Sequence, residues 1–232
     1  MSKKIDTTMS LIKILQSQGF GSRNVCAKII KMGMVNINGI KCYEKDELFE
    51  LENLEIEVDG KSVIYKKNIY VIMNKPDGYE CSHNPSHHAS VFSLLPPQFI
   101  ERNVQCVGRL DFDTTGLLLF SDDGKFIHKY TSPKKHIPKT YLVECKHEVS
   151  DEMVNQLLNG VLLHQEEHEV KAIKVVKISS HTIELSIGEG KYHQVKRMIS
   201  AVSNRVEKLH RLSVGEYPLP SELENGEWRY LE

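Results

Sequence analysis

Apolar residues recur at helical spacing twice near the start of the chain. Met9 to Ser17 is short and apolar-periodic, Gly19 and Gly21 interrupt it, and Ser22 stands where it can cap a second helix running through Ala27, Ile29 and Ile30 to Gly33. The pattern then changes to alternation. In MVNINGIKC the Asn38-Gly39 pair between alternating apolar residues predicts a hairpin, and LEIEV adds a strand. Residues 1–60 therefore read as a helix-helix-hairpin unit, too small for a comfortable core of its own and so an accessory module. Residues 61–68 read as a linker and 69–232 as a larger domain. There the strand-like runs YVIMN, LLLFS, TYLVE, IKVVKI and TIELSI outnumber the helical ones, of which SDEMVNQLLNG and KYHQVKRMISAV are clearest. The expected fold class is α+β, the larger domain being built on a mixed or antiparallel sheet.

Composition narrows the class. Of 232 residues 40% are hydrophobic and 26% charged, which excludes a disordered chain. No apolar run approaches the roughly 18 residues of a membrane span, and MSKKIDTTMS lacks the apolar stretch of a signal peptide, so the expected location is the cytoplasm with no membrane partner. The five cysteines, at 26, 42, 81, 106 and 145, are odd in number and far apart. They read as reduced thiols rather than a disulfide framework or a C-x-x-C metal site.

Net charge, at −1, argues against a polyanionic partner until it is resolved along the chain. Residues 7–43 hold Lys13, Arg23, Lys28, Lys31 and Lys41 with no acid, whereas 44–60 hold eight acids against Lys45 alone. Two further basic stretches follow. Gly124 to Val143 carries five lysines and no acid, and Lys191 to Arg211 has six bases against Glu207. Scattered charge is usually a solvated face, but chance would interleave the signs; contact with a nucleic acid requires that they be separated.

Candidate chemistry concentrates in VGRLDFDTTGLLLFSDDG, residues 107–124: a charged turn, a small-residue break at Thr114-Thr115-Gly116, and an apolar strand ended by a DDG turn. If the segment is extended, Arg109, Asp111 and Asp113 point the same way, leaving an ion pair or a carboxylate cluster open. For a lone D-x-D a surface turn with a salt bridge is the commoner outcome. No helix supplies matching ligands at metal spacing.

Over essentially its whole length the chain resembles the RsuA family of pseudouridine synthases. GRLDFDTTGLLLFSDDG is similar to the catalytic motif, whose essential aspartate falls on Asp111. KTYLVE resembles the second motif, placing its tyrosine at Tyr141, and GEGKYHQVKRM the third, placing the basic partner of the aspartate at Lys196. MNKPDGYECS resembles the opening strand and loop of the catalytic domain, and VEKLHRLSVG the later L-x-R segment with Leu209 and Arg211. The amino-terminal unit, with Ser22-Arg23 before its second helix, resembles the RNA-binding domain named for ribosomal protein S-four. Two departures stand out: lysine at 196 where many such enzymes carry arginine, and the loop HNPSHHASVF, whose three histidines read as a polar loop rather than a metal site.

The resemblance implies conversion of a uridine to pseudouridine without metal, redox partner or other cofactor. It implies small-subunit (16S) ribosomal RNA, or an assembly particle containing it, as partner, the full-length likeness favouring the single site in the 5′ domain. A monomer is the simplest state. Asp111 would act on the sugar as nucleophile or base, Lys196 would be its counter-charge, Tyr141 would stack on a flipped base, and Leu209 would line the pocket. In a helix through 191–202, Val195, Met198, Ile199 and Val202 make the buried stripe, with His193, Lys196 and Arg197 on the other half. Arg23, Lys28, Lys31, Arg109, His193, Arg197 and Arg211 are the expected RNA contacts. Two other functions fit parts of the sequence: a non-catalytic ribosome-assembly RNA-binding protein, and a hydrolase using Asp111 and Asp113 as a carboxylate pair.

Overall fold

The computed structural model describes residues 7–231. It contains two compact units, the first holding the described residues up to Ile69 together with Pro96–Val104, the second Tyr70–Leu95 and the described residues from Gln105 onward.

In the first unit, β1 (Thr8–Ser10) leads directly into α1 (Leu11–Ser17), so the helix expected from Met9 begins two residues later. After it come α2 (Arg23–Lys31), β2 (Val35–Ile37), β3 (Ile40–Lys41), β4 (Leu48–Glu50), β5 (Glu55–Val58) and β6 (Lys61–Ile64). The Ser22 hydroxyl accepts the Val25 amide at 3.4 Å and caps α2 as expected. Leu11, Ile12, Ile14 and Leu15 of α1 are buried against Ile30, Val35, Ile37 and Ile56. Each such side chain contributes about 1.5–3 kcal/mol by leaving water.

Asn38 and Gly39 take positive φ of 48° and 78°, the turn their sequence signalled. The same turn chemistry corrects the expected linker. Asp59 and Gly60, with φ of 52° and 76°, reverse the chain so that β6 pairs antiparallel with β5, giving a sheet ordered β3-β2-β5-β6. Residues 61–64 are therefore a strand of the first unit. Helix α3 (Pro97–Glu101) also belongs there, and Arg102 Nη1 donates to Gln18 Oε1 at 3.1 Å and to the Lys66 carbonyl at 3.0 Å.

The second unit opens with β7 (Tyr70–Lys75), β8 (Tyr79–Glu80), β9 (Ala89–Ser90), β10 (Gln105–Val107) and β11 (Thr114–Ser121). It continues through α4 (Gly124–Thr131), β12 (Lys139–Cys145), α5 (Asp151–Asn159), β13 (Val161–Leu162), β14 (Glu169–Val170), β15 (Lys174–Lys177) and β16 (Thr182–Ile187). It closes with α6 (Gln194–Ala201), β17 (Val206–Val214), β18 (Tyr217–Pro218) and β19 (Trp228–Tyr230). The main sheet runs β15-β16-β12-β17-β11-β7-β19 and is mixed, because β11 and β17 are parallel while its other neighbours are antiparallel. The α+β expectation holds.

Three local expectations change. Thr114-Thr115-Gly116 is not a break but the start of β11; Gly116 has φ of 99°, and a Cβ there would lie 2.4 Å from the Arg211 carbonyl oxygen, so only glycine permits the close approach to β17. The DDG turn is also a helix start, since Asp123 Oδ1 accepts the Lys125 amide at 2.9 Å and caps α4. Helix α6 begins at Gln194 rather than 191. His193 precedes it in a left-handed conformation, φ 48°, while Val195, Met198 and Ile199 form the buried stripe.

Candidate active site

The segment from Asp111 to Thr114 is a turn rather than an extended strand, closed by the Thr114 amide donating to the Asp111 carbonyl at 3.1 Å. Lys75, at the end of β7 and fully buried, fixes it from behind. Its ammonium donates to the carbonyls of Phe112 at 3.0 Å, Thr114 at 2.9 Å and Pro76 at 3.0 Å. All three of its donors are used, which offsets the cost of burying the charge. Burial still holds this ammonium below the usual lysine range.

The carboxylates presented by the turn meet the amino-terminal end of α6. Lys196 Nζ lies 3.1 Å from Asp111 Oδ2 and 2.6 Å from Asp113 Oδ1, and His193 Nε2 lies 3.2 Å from Asp111 Oδ1. The histidine contact is a hydrogen bond when Nε2 carries the proton, in the neutral tautomer or in the imidazolium. The left-handed backbone at His193 thus makes it a second partner for Asp111. Burial works against the Lys196 charge, but the hydrogen bonds and charges of Asp113 and Asp111 outweigh it and raise its affinity for the proton. Arg109 is exposed, and among the described residues it forms no ion pair with Asp111 or Asp113.

Opposite the turn, β12 and β17 supply the remaining wall. Tyr141 on β12 faces Arg211 on β17 across a register shift between Thr140 and Tyr141. Asp111, Tyr141, Lys196, Leu209, Arg211 and Lys139 share one cleft of about 160 Å³. That is smaller than the roughly 300 Å³ at which pockets for drug-sized ligands begin, and suits a single ring. Tyr141 and Leu209 are each only 7% exposed and provide its apolar surface. Arg211 is 2% exposed and forms part of the cleft wall; its Nε donates to the Leu117 carbonyl at 2.7 Å. Lys139 was not foreseen. Burial, with the neighbouring Arg211 charge, depresses its proton affinity.

Arg197 pairs with Glu166 at 3.2 Å and donates to the carbonyls of His164 and Tyr192, pinning the loop after β13 to α6. Lys191 joins the same carboxylate at 2.6 Å, and these contacts hold Glu166 below the usual carboxylate range. Arg23, Lys28 and Lys31 are exposed on α2 of the first unit.

An acid–lysine pair beside a buried tyrosine at the mouth of a ring-sized cleft matches the three expected motifs brought together. A family model described as RNA pseudouridylate synthase matches residues 69–201. The chain belongs to this family. The pseudouridine synthase is 39% identical over 226 residues to the uncharacterized RNA pseudouridine synthase YtzG of Bacillus subtilis, covering 96% of this chain and 95% of that protein. It is 36% identical over 224 residues to the ribosomal small subunit pseudouridine synthase A of Escherichia coli K12, with 96% of each covered. A crystal structure of a pseudouridylate synthase superposes with a TM-score of 0.68 at 34% identity, over 97% of this chain and 96% of that one. The protein is therefore an RNA pseudouridine synthase, an isomerase of the RsuA family. The turn carrying Asp111, the strand carrying Tyr141 and the start of α6 all fall within the matched residues. No helix among the described residues is long and apolar enough to cross a membrane.

Proposed function

We propose that this synthase converts one uridine of small-subunit ribosomal RNA to pseudouridine, with Asp111 as the catalytic carboxylate. The observation that carries the reading is the placement of Asp111 within 3.1 Å of Lys196 in the cleft that also holds Tyr141. The target uridine leaves its stack and enters the cleft, because the bond to be changed cannot be reached inside a helix. Asp111 acts at the sugar, the bond from C1′ to base N1 breaks, the base turns, and C5 bonds to C1′. The proton on C5 is lost and N1 gains one, so the formula of the RNA is unchanged.

Lys196 compensates and aims Asp111 from one oxygen while His193 holds the other. The ring of Tyr141 stacks on the base, and its hydroxyl assists proton transfer at C5. Closure of the cleft by RNA keeps water from the reactive sugar. The choice of small-subunit RNA rests on the full-length likeness to relatives named for it, 36% identical in Escherichia coli and 37% in Yersinia pestis. The first unit, monomeric with the rest of the chain, supplies affinity through Arg23, Lys28 and Lys31 on the phosphate backbone.

The test is tritium release from 16S RNA labelled at uracil C5, with 23S RNA as a control. Release by the wild-type protein from 16S RNA alone, and none by Asp111→Asn, is expected. Equal release by the variant would remove Asp111 from its role, and release from 23S RNA alone would remove the substrate assignment.

A further inference from the structure

The histidine loop that departs from the family resemblance takes no part in the reaction just described, yet it is tied down along its length. It joins β8 to β9, which pair in parallel, Tyr79 with Ala89 and Glu80 with Ser90. The Glu80 carboxylate accepts three consecutive amides, from Ser86 at 3.0 Å and from His87 and His88 at 2.9 Å. Those bonds hold its carboxyl below the usual carboxylate range, so the tie is intact at neutral pH. Nearer the ends of the loop, Ser90 Oγ donates to the Ser82 carbonyl at 2.6 Å, and His83 stacks on Phe92 with ring centres 3.6 Å apart. Surface loops ordinarily carry few such ties; this one is built to hold a shape.

What the loop holds is one ring against another. His88 lies over Phe112, nearly parallel at 9°, with ring centres 4.3 Å apart. Phe112 stands between Asp111 and Asp113, and its carbonyl accepts from the Lys75 ammonium at 3.0 Å and from the Gly78 amide at 2.9 Å. Its backbone is thus anchored from behind while its ring stays 46% exposed, and His88 is exposed as well. Neither residue is among those lining the cleft.

We propose that the His88–Phe112 stack is a platform on which the base adjoining the target uridine stacks, an RNA contact outside the cleft; the inference rests on the function proposed above. Extruding a uridine leaves its neighbour with an uncovered face, and that loss of stacking opposes flipping. The cleft, at about 160 Å³, has room for one ring, so the neighbour stays outside it. The sugar of the target must reach Asp111, which draws the adjoining nucleotide to the residue that follows Asp111, and that residue is Phe112. An aromatic face accepts any base, because every base has a π-face. The carboxylates on both sides of Phe112 repel a phosphate, so the base and not the backbone is its partner. His88 fixes the phenyl ring beforehand, so little side-chain freedom is lost when a base extends the stack.

The test measures the affinity of the full chain for a fragment of the 16S 5′ domain that holds the target, intact and then with an abasic residue on either side of the target uridine. Tritium release from the intact fragment, labelled at uracil C5, establishes the function beneath the proposal; its absence overturns both. In the wild type, one of the two abasic residues is expected to weaken binding about tenfold. Phe112→Leu is expected to bind the intact fragment about tenfold more weakly and to lose nothing further at that abasic residue, because ring and base act on each other, while Phe112→Trp keeps the wild-type response. His88→Ala, which leaves the residues of the catalytic turn in place, is expected to show the same pattern with a smaller factor. Release by the wild type with equal abasic losses in wild type, Phe112→Leu and His88→Ala overturns the platform and leaves the function standing, as does undiminished binding of the intact fragment by both variants.

Discussion

Lys196 lies closer to Asp113 than to Asp111, 2.6 Å against 3.1 Å, and contacts both oxygens of Asp113. One ammonium therefore serves two carboxylates, and the more exposed of them holds it in place. Replacing Asp113 by Asn removes a charge from the pair but leaves Lys196 free to close on Asp111. The expected loss in kcat is about tenfold or less, whereas Asp111→Asn costs at least ~10³-fold and Lys196→Met approaches that, because an uncompensated carboxylate remains in the cleft. Single-turnover rates on the three variants check the order.

The same geometry sets a pH limit. Although burial opposes its charge, Lys196 has a proton affinity raised by Asp113 and Asp111. A lysine whose folded pKa lies above its unfolded value contributes stability that is fully present below the unfolded value, near ~10.4, and is lost as pH rises through the folded one. Activity should therefore be insensitive to this lysine across neutral and mildly alkaline pH and should fall only beyond the usual lysine range. In Asp113→Asn that alkaline fall moves to lower pH, which a pH–rate profile measures.

Lys75 acts through the turn it holds. Lys75→Met removes this donor from the carbonyls of Phe112, Thr114 and Pro76, of which Phe112 keeps the Gly78 amide at 2.9 Å. The lost hydrogen bonds destabilise the fold, while removal of the buried charge offsets part of that, for a net loss of about 2–4 kcal/mol. Urea unfolding of the second unit checks the magnitude, and kcat should fall more than KM rises because the displaced turn carries Asp111.

Most of the elements were legible because their signals are local. Ser22 caps α2, Asn38-Gly39 makes its hairpin, and the apolar stripe of α6 is visible as spacing. Asp59-Gly60 carried the same hairpin signal as Asn38-Gly39, yet the short, lysine-flanked run after it read as a linker. The motifs named Asp111, Tyr141 and Lys196, which the structure brings into one cleft. Lys75 and Lys139 lie within quoted motifs, but their importance comes from burial under strands far away in sequence, which no local pattern encodes. The partners that hold Arg197 and Arg211 were hidden for the same reason: Glu166 and Leu117 are 31 and 94 residues distant.

Tyr141 separates two effects of one side chain. Tyr141→Phe keeps the ring, so RNA binding and KM should change little, while loss of the hydroxyl lowers kcat by about 10²-fold or more if it carries the proton. Tyr141→Leu removes the stacking surface as well, weakening binding of the flipped base by about 1–3 kcal/mol. Comparison of kcat and KM for the two variants resolves the roles.

Arg23, Lys28 and Lys31 are exposed on α2, within a stretch from 7 to 43 that holds five bases and no acid. Cations that neutralise phosphates release condensed counterions, so each contact contributes about 0.7 to the slope of log affinity against log salt on single-stranded RNA. Replacing all three by alanine in the full chain should lower that slope by about 2 and weaken binding most at low salt, where counterion release is most favourable. Chemistry on RNA already bound should be nearly unchanged, because none of the three lies among the residues lining the cleft around Asp111. Affinity measured across a salt series, with single-turnover rates at saturating protein, distinguishes this from a structural role. An unchanged slope would mean that α2 does not touch phosphate.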